Sequence, residues 1–91
     1  MLIIIKSSPT ADDAKRGLQI AKDTNADVLL LQNAVYCLNR SMLDGISGSK
    51  YALEDDKRLR GISKSEEGVT LVGYDEAVDL MASADKVVGM F

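Results

Sequence analysis

The chain has 91 residues, a formal net charge of −3, one cysteine and no histidine. This length predicts one domain, residues 1–91. Because the chain is acidic and its Lys and Arg side chains are scattered, we do not expect it to bind nucleic acid directly. The lack of histidine excludes a Ser-His-Asp triad, a Cys-His dyad and a histidine-ligated zinc site.

The first predicted element is a strand at residues 2–5, an apolar run rich in β-branched side chains. Lys6 follows this run, whereas a signal peptide carries its positive charge before the apolar stretch. A single cysteine cannot form an internal disulfide, and no segment has the roughly 18 apolar residues that a membrane span needs. We therefore expect a cytoplasmic protein with no membrane association.

A turn rich in hydroxyl groups follows, and a helix is predicted over residues 11–24, ending at Asn25. Doubly wound proteins often bind phosphate in the turn after the first strand, so Ser7, Ser8 and Thr10 are candidates for a small-anion site. The turn has no glycine that would let a phosphate approach the backbone. We favour Thr10 as a helix cap and keep the anion site as the alternative.

The run from Asp27 to Asn33 contains four consecutive large apolar residues, 28–31, which is typical of a strand covered on both faces. Helical patterns lie before and after it. The sequence therefore predicts an α/β fold with three layers, α/β/α, around a small, mostly parallel sheet of four to five strands in a flavodoxin-like architecture. Residues 2–5 and 28–31 are expected at the centre of the sheet, with any chemistry at the carboxyl ends of the strands.

Cys37 lies near the start of the next predicted helix, which Asn33 is expected to cap. A helix amino terminus can lower the pKa of a thiol and favour the nucleophilic thiolate, which would suit a persulfide carrier. The neighbours of Cys37 are apolar, and no Lys or Arg is adjacent to stabilise a thiolate. We favour a buried structural cysteine, with persulfide chemistry as the alternative.

A third strand is predicted at residues 50–53, followed by three carboxylates, 54–56, that suit the start of a short helix closed by Gly61. The oxygens of these carboxylates are ligands of the kind that Mg²⁺ prefers. Phosphate-accepting receiver domains also need acidic residues after the first strand, where this chain has Lys6. We interpret the three carboxylates as a solvated helix start and expect no metal and no other cofactor.

The last predicted elements are a strand at residues 69–72, a helix capped by Asp75 that carries Val78, Met81 and Ala82, and a fifth strand or extended tail at 86–91. Three layers on so short a chain leave too little helix to cover both faces of the sheet. We expect the uncovered apolar surface to contact a partner chain. The candidates for this interface are Met81, Met90 and Phe91.

Three segments of the chain, in this order and spacing, resemble the DsrH/TusB family of the DsrE-like sulfur-relay superfamily. They are residues 29–35, residues 51–56 with 59–62, and residues 84–91. The resemblance implies a DsrE-like α/β subunit of a hetero-oligomer with homologous DsrE/TusD-like and DsrF/TusC-like subunits. Such assemblies pass persulfide sulfur towards 2-thiolation of the tRNA wobble uridine or towards dissimilatory sulfur metabolism.

One departure from the superfamily pattern concerns the relay cysteine. In the DsrE/TusD branch this cysteine ends the third strand, and the corresponding position here is Leu53. The resemblance therefore implies a non-catalytic accessory subunit, not an enzyme, which supports persulfide transfer for tRNA wobble uridine thiolation. From the uncovered apolar surface we expect the isolated chain to self-associate. The alternatives are a persulfide carrier acting through Cys37, and a stand-alone homo-oligomer that binds a small anion at Ser7, Ser8 and Thr10.

Overall fold

The structure, a computed structural model, describes residues 1–39, 42–62 and 68–90. In these residues strands and helices alternate along the chain, as expected for an α/β fold. The elements are β1 (Leu2–Ile5), α1 (Asp12–Thr24), β2 (Asp27–Leu30), a 3-10 helix (Gln32–Asn39), β3 (Lys50–Leu53), α2 (Glu54–Leu59), β4 (Val69–Val72), α3 (Tyr74–Ser83) and β5 (Val87–Met90).

The five strands form one sheet in the order β4-β3-β2-β1-β5, and every neighbouring pair is parallel. The apolar run predicted as the central strand is β2, in the middle of the sheet, with β1 beside it. The chain end predicted as a strand or a tail is the edge strand β5. Because all the strands are parallel, their carboxyl ends lie along one edge of the sheet, here named the carboxyl edge.

The core has two parts, one on each face of the sheet. Alternate residues of β1 and β2 enter opposite clusters, which explains why both strands are apolar throughout. On the first face, these side chains pack against α1 and the 3-10 helix. On the second face, the cluster includes Ala77 of α3, with Leu80 and Met81 packed against it. The predicted three-layer architecture is confirmed.

Gly17 allows α1 to pack closely on the first face. A Cβ atom at this position would lie 3.1 Å from Cδ1 of Ile5 and 3.1 Å from Cγ of Met90. Met90 is half-buried and packs against the first-face cluster. The end of β5 is thereby fixed under α1.

The helix starts differ from the predicted caps. The N-cap of α1 is Ala11, because the chain makes a turn from Ser8 to Ala11 in which the Thr10 hydroxyl hydrogen-bonds that of Ser8. The N-cap of α3 is Gly73 rather than Asp75, and its N–H donates to Oε1 of Glu76. Asn25 ends α1 in the left-handed conformation, as predicted.

Of the apolar residues predicted on this helix, Met81 packs against the second-face core. Ala77 is buried, whereas Val78 and Ala82 are exposed. The helix begins at Tyr74, and its contact stripe passes through Ala77, Leu80 and Met81. As a result, the outer surface of α3 carries apolar side chains that the described chain leaves uncovered.

Candidate functional site at the carboxyl edge

A hydrogen-bonded network lies at the carboxyl ends of β2 and β3. The backbone N–H of Gln32 donates to Oδ2 of Asp56 at 2.7 Å, and Nη1 of Arg60 lies 3.3 Å from Oδ1 of the same carboxylate. Nε of Arg60 donates to Oδ1 of Asn33 at 3.1 Å. The Gln-Asn, Asp-Asp and Arg-Gly segments that carry the family resemblance are thus joined in one network.

The backbone at Gln32 explains how the network forms. This residue has φ of 50°, in the left-handed region that non-glycine residues rarely adopt. The conformation turns the chain out of β2 and directly into the 3-10 helix, so Asn33 lies inside that helix and does not cap it. The buried Asp56 carboxylate stabilises this turn by accepting the Gln32 N–H.

The burial of Asp56 corrects one prediction from the sequence. Glu54, Asp55 and Asp56 were expected to share a solvated face, but Asp56 is only 7% exposed. Asp55, which pairs with Arg58, is half-buried, and Glu54 is exposed. A buried carboxylate is tolerated here because an arginine and a backbone N–H both bind it.

A cleft of about 250 Å³ lies beside this network, between the carboxyl edge and α3. Its apolar lining includes Leu31, Leu53 and Met81, and its polar lining includes Lys6 and Tyr74. Leu53 is the last residue of β3 and is only 2% exposed. Leu53 is therefore an aliphatic side chain packed into the second-face core.

Cys37 lies on the opposite face of the sheet from Leu53. Its side chain is 0% exposed and belongs to the first-face cluster with Val35 and Leu38, whereas Leu53 belongs to the second-face cluster. Persulfide exchange needs an accessible thiolate, so this location favours the structural role. A carrier role for Cys37 stays a prediction.

The hydroxyl groups of the first turn do not converge on one point. Ser8 Oγ and Thr10 Oγ1 are 3.3 Å apart and hydrogen-bond each other. The Ser7 hydroxyl is buried and has no hydrogen-bond partner in the described part of the chain. Asp12 and Asp13 follow at the start of α1, where their charge would repel an anion. The small-anion site at Ser7, Ser8 and Thr10 stays a prediction.

The predicted interface residues do not form one patch. Met81 lines the cleft on the second face, whereas Met90 packs on the first face. Phe91 lies outside the described residues. Tyr74 and Val78, which the sequence does not single out for an interface, are each 60% exposed on α3. These three interface assignments stay predictions.

The described residues, 1–39, 42–62 and 68–90, contain neither a metal-binding cluster of side chains nor a membrane-spanning helix. Within them, no three Cys, Asp or Glu side chains are grouped closely enough to hold a metal ion. No helix in the same stretches has the length and apolar character needed to cross a bilayer.

Comparison with known proteins gives a family and a fold. A family model described as DsrH like protein matches residues 7–87. The crystal structure of the YchN protein from E. coli is similar, with a TM-score of 0.76 and 18% sequence identity, over 97% of each chain. No match was found among curated proteins. The structural similarity shows that the two proteins share their α/β fold.

Proposed function

The chain belongs to the DsrH-like protein family, and we propose that it is a non-catalytic subunit of a cytoplasmic sulfur-relay complex. Its partners in this proposal are homologous DsrE/TusD-like and DsrF/TusC-like subunits. The complex delivers persulfide sulfur for 2-thiolation of the tRNA wobble uridine. The chain holds the sulfur-carrying subunit in place and contributes to the surface on which the sulfur acceptor docks.

Leu53 is the observation that carries this proposal. It ends β3, where the DsrE/TusD branch has its relay cysteine, and it is 2% exposed. In persulfide transfer, the acceptor thiolate attacks the outer sulfur of the donor persulfide; a new S–S bond forms, and the donor leaves as a thiolate. An aliphatic side chain can take neither role. The chain's single cysteine, Cys37, is buried on the opposite face of the sheet.

The side chains at the carboxyl edge are nevertheless held in a defined arrangement. Asp56 and Arg60 join the end of β2 to α2, and the cleft beside them is lined mainly by apolar side chains. Ordered polar groups around an apolar depression are typical of protein interfaces. In the proposed role, this edge retains a docking surface although the thiol has been replaced.

The test is reconstitution with the DsrE/TusD-like and DsrF/TusC-like subunits of the same host. The carrier subunit is loaded with ³⁵S persulfide, and transfer to a thiol acceptor is followed with and without this chain. We expect the chain to bind the carrier and accelerate transfer while remaining unlabelled, both as wild type and as Cys37→Ser. Label on Cys37, or a transfer rate independent of the chain, would reject the proposal.

A further inference from the structure

The second face of the sheet is only partly covered. Four inter-strand spacings of about 4.8 Å give the sheet a width of roughly 19 Å, whereas one helix is about 10 Å across with its side chains. The first face carries both α1 and the 3-10 helix, but the described residues place only α3 on the second face. The second-face side chains of the inner strands are buried, with Leu29 0% and Leu53 2% exposed. The opening left beside α3 is therefore the cleft at the carboxyl edge.

The uncovered region is apolar where it borders the cleft. Tyr74 and Val78 are each 60% exposed, and their spacing of four positions places them next to each other on the outside of α3. They also line the cleft, together with Met81. A cleft of about 250 Å³ has room for one large apolar side chain from another protein.

The outer flank of α3 is acidic. Asp75, Glu76 and Asp79 are exposed, and no lysine or arginine occurs between residues 69 and 85. On the other side of the cleft, Lys6 is a lining residue. A complementary partner therefore has its cations over α3 and its apolar side chains over the cleft.

We propose that this α3 surface, formed by Tyr74, Asp75, Val78, Asp79 and the cleft, binds an amphipathic helix of a partner protein with Lys or Arg along one flank. The helix lies along α3 and places its apolar side chains over the cleft. A second copy docking through the same α3 surface would bring the Asp75 and Asp79 carboxylates of both copies together, which disfavours it. The inference rests on the proposed docking role and adds the surface and the chemistry of its partner.

The test uses the full chain and a synthetic helical peptide of about 18 residues, roughly five turns, made of Leu and Lys. A Leu/Glu peptide of the same pattern is its control. Binding is measured by calorimetry at low and high salt, and the binding site is mapped by NMR amide shifts. Tyr74→Ser and Val78→Ser probe the apolar contacts, and the Asp75→Asn/Asp79→Asn double variant probes the charges. The matched charge control is Asp12→Asn/Asp44→Asn, which changes two exposed carboxylates outside α3.

We expect the Leu/Lys peptide to shift the amides of α3 and of the cleft, and each serine variant to weaken binding by about fivefold or more. The double variant should weaken binding and reduce its salt dependence, while the control variant and the Leu/Glu peptide should show neither effect. Equal weakening by the control variant, or amide shifts spread over α1, would overturn the proposal. A dimer abolished by Val78→Ser, with no peptide binding, would identify a second copy as the occupant and also overturn it.

The experiments distinguish a failure of the proposed relay function from a failure of the proposed α3 surface. Peptide binding at α3, with sulfur transfer that does not depend on the chain, would reject the relay function alone. Chain-dependent sulfur transfer that Tyr74→Ser and Val78→Ser leave unchanged, with no peptide binding, would reject the α3 surface alone.

Discussion

Replacing Asp56 tests whether the network at the carboxyl edge stabilises the fold. In Asp56→Ala, the Gln32 N–H loses the acceptor that lies 2.7 Å away, and Arg60 loses its carboxylate partner. The Asp56 carboxylate is buried, whereas Gln32 borders the cleft, so the Gln32 N–H is only partly shielded from water. Gln32 would keep its φ of 50° without the contact that supports it.

The expected cost follows from these two contacts. An unsatisfied buried donor costs about 1–3 kcal/mol. The Arg60 side chain is 23% exposed and can turn towards water, so loss of its ion pair adds only about 0–1 kcal/mol. We expect Asp56→Ala to lower the free energy of unfolding by about 1–4 kcal/mol, against a total of roughly 5–14 kcal/mol for a chain of this length. Asp56→Asn keeps an acceptor oxygen and should cost about 1 kcal/mol.

Urea unfolding followed by circular dichroism measures this difference. Asp55→Ala is the matched control, because Asp55 lies next to Asp56 on α2 but is half-buried and pairs with Arg58. Its cost should be about 1 kcal/mol or less. Hydrogen exchange at Gln32 gives a local readout, since its amide should lose protection in Asp56→Ala. Equal stability of the two alanine variants, with Gln32 still protected, would refute the reasoning.

Three further predictions concern the core, a turn and the chain end. Leu30→Asp should abolish folding, because Leu30 is 0% exposed and an unpaired buried charge costs several kcal/mol; a native circular dichroism spectrum would contradict this. Gly48→Ala should lower the free energy of unfolding by about 1–3 kcal/mol, since its Cβ would lie 2.3 Å from the Ala26 carbonyl oxygen; urea midpoints measure it, and an unchanged midpoint counts against it. A hydrogen bond from the Met1 ammonium, 2.9 Å away, and the charge of that group lower the pKa of Asp85. Because the folded-state pKa is depressed, this pair stabilises the fold above the ordinary carboxyl pKa of about 4 and is lost as the pH falls through the lowered value. An NMR titration of Asp85 in the wild type and in an N-acetylated chain should show the pKa rise on acetylation, and equal pKa values would contradict the assignment.

The strands could be predicted from the sequence because apolar runs mark them directly. Residues 2–5, 50–53 and 69–72 are strands with the predicted limits. Burial on both faces makes an uninterrupted apolar run informative even in a short chain. The parallel order of the sheet followed from the alternation of strands and helices.

The helix boundaries and the site were harder to predict. The left-handed turn at Gln32 has no glycine to mark it, so the sequence favours Asn33 as a helix cap. Asp56 sits among exposed charges, and only its contact with residues far along the chain shows that it is buried. On α3, both the stripe through Ala77 and Leu80 and the stripe through Val78 and Ala82 are apolar, so spacing alone does not show which of the two packs on the sheet.

The central claim is that the chain supports sulfur transfer without carrying sulfur. The most direct measurement is the 2-thiouridine content of tRNA in a strain that lacks the chain and in strains that produce wild-type or Cys37→Ser protein at equal levels. We predict that the strain lacking the chain is depleted in 2-thiouridine and that Cys37→Ser restores it as fully as wild type, because Cys37 is buried at 0% exposure. Depletion in the Cys37→Ser strain as deep as in the strain lacking the chain would contradict the claim and identify Cys37 as a sulfur carrier.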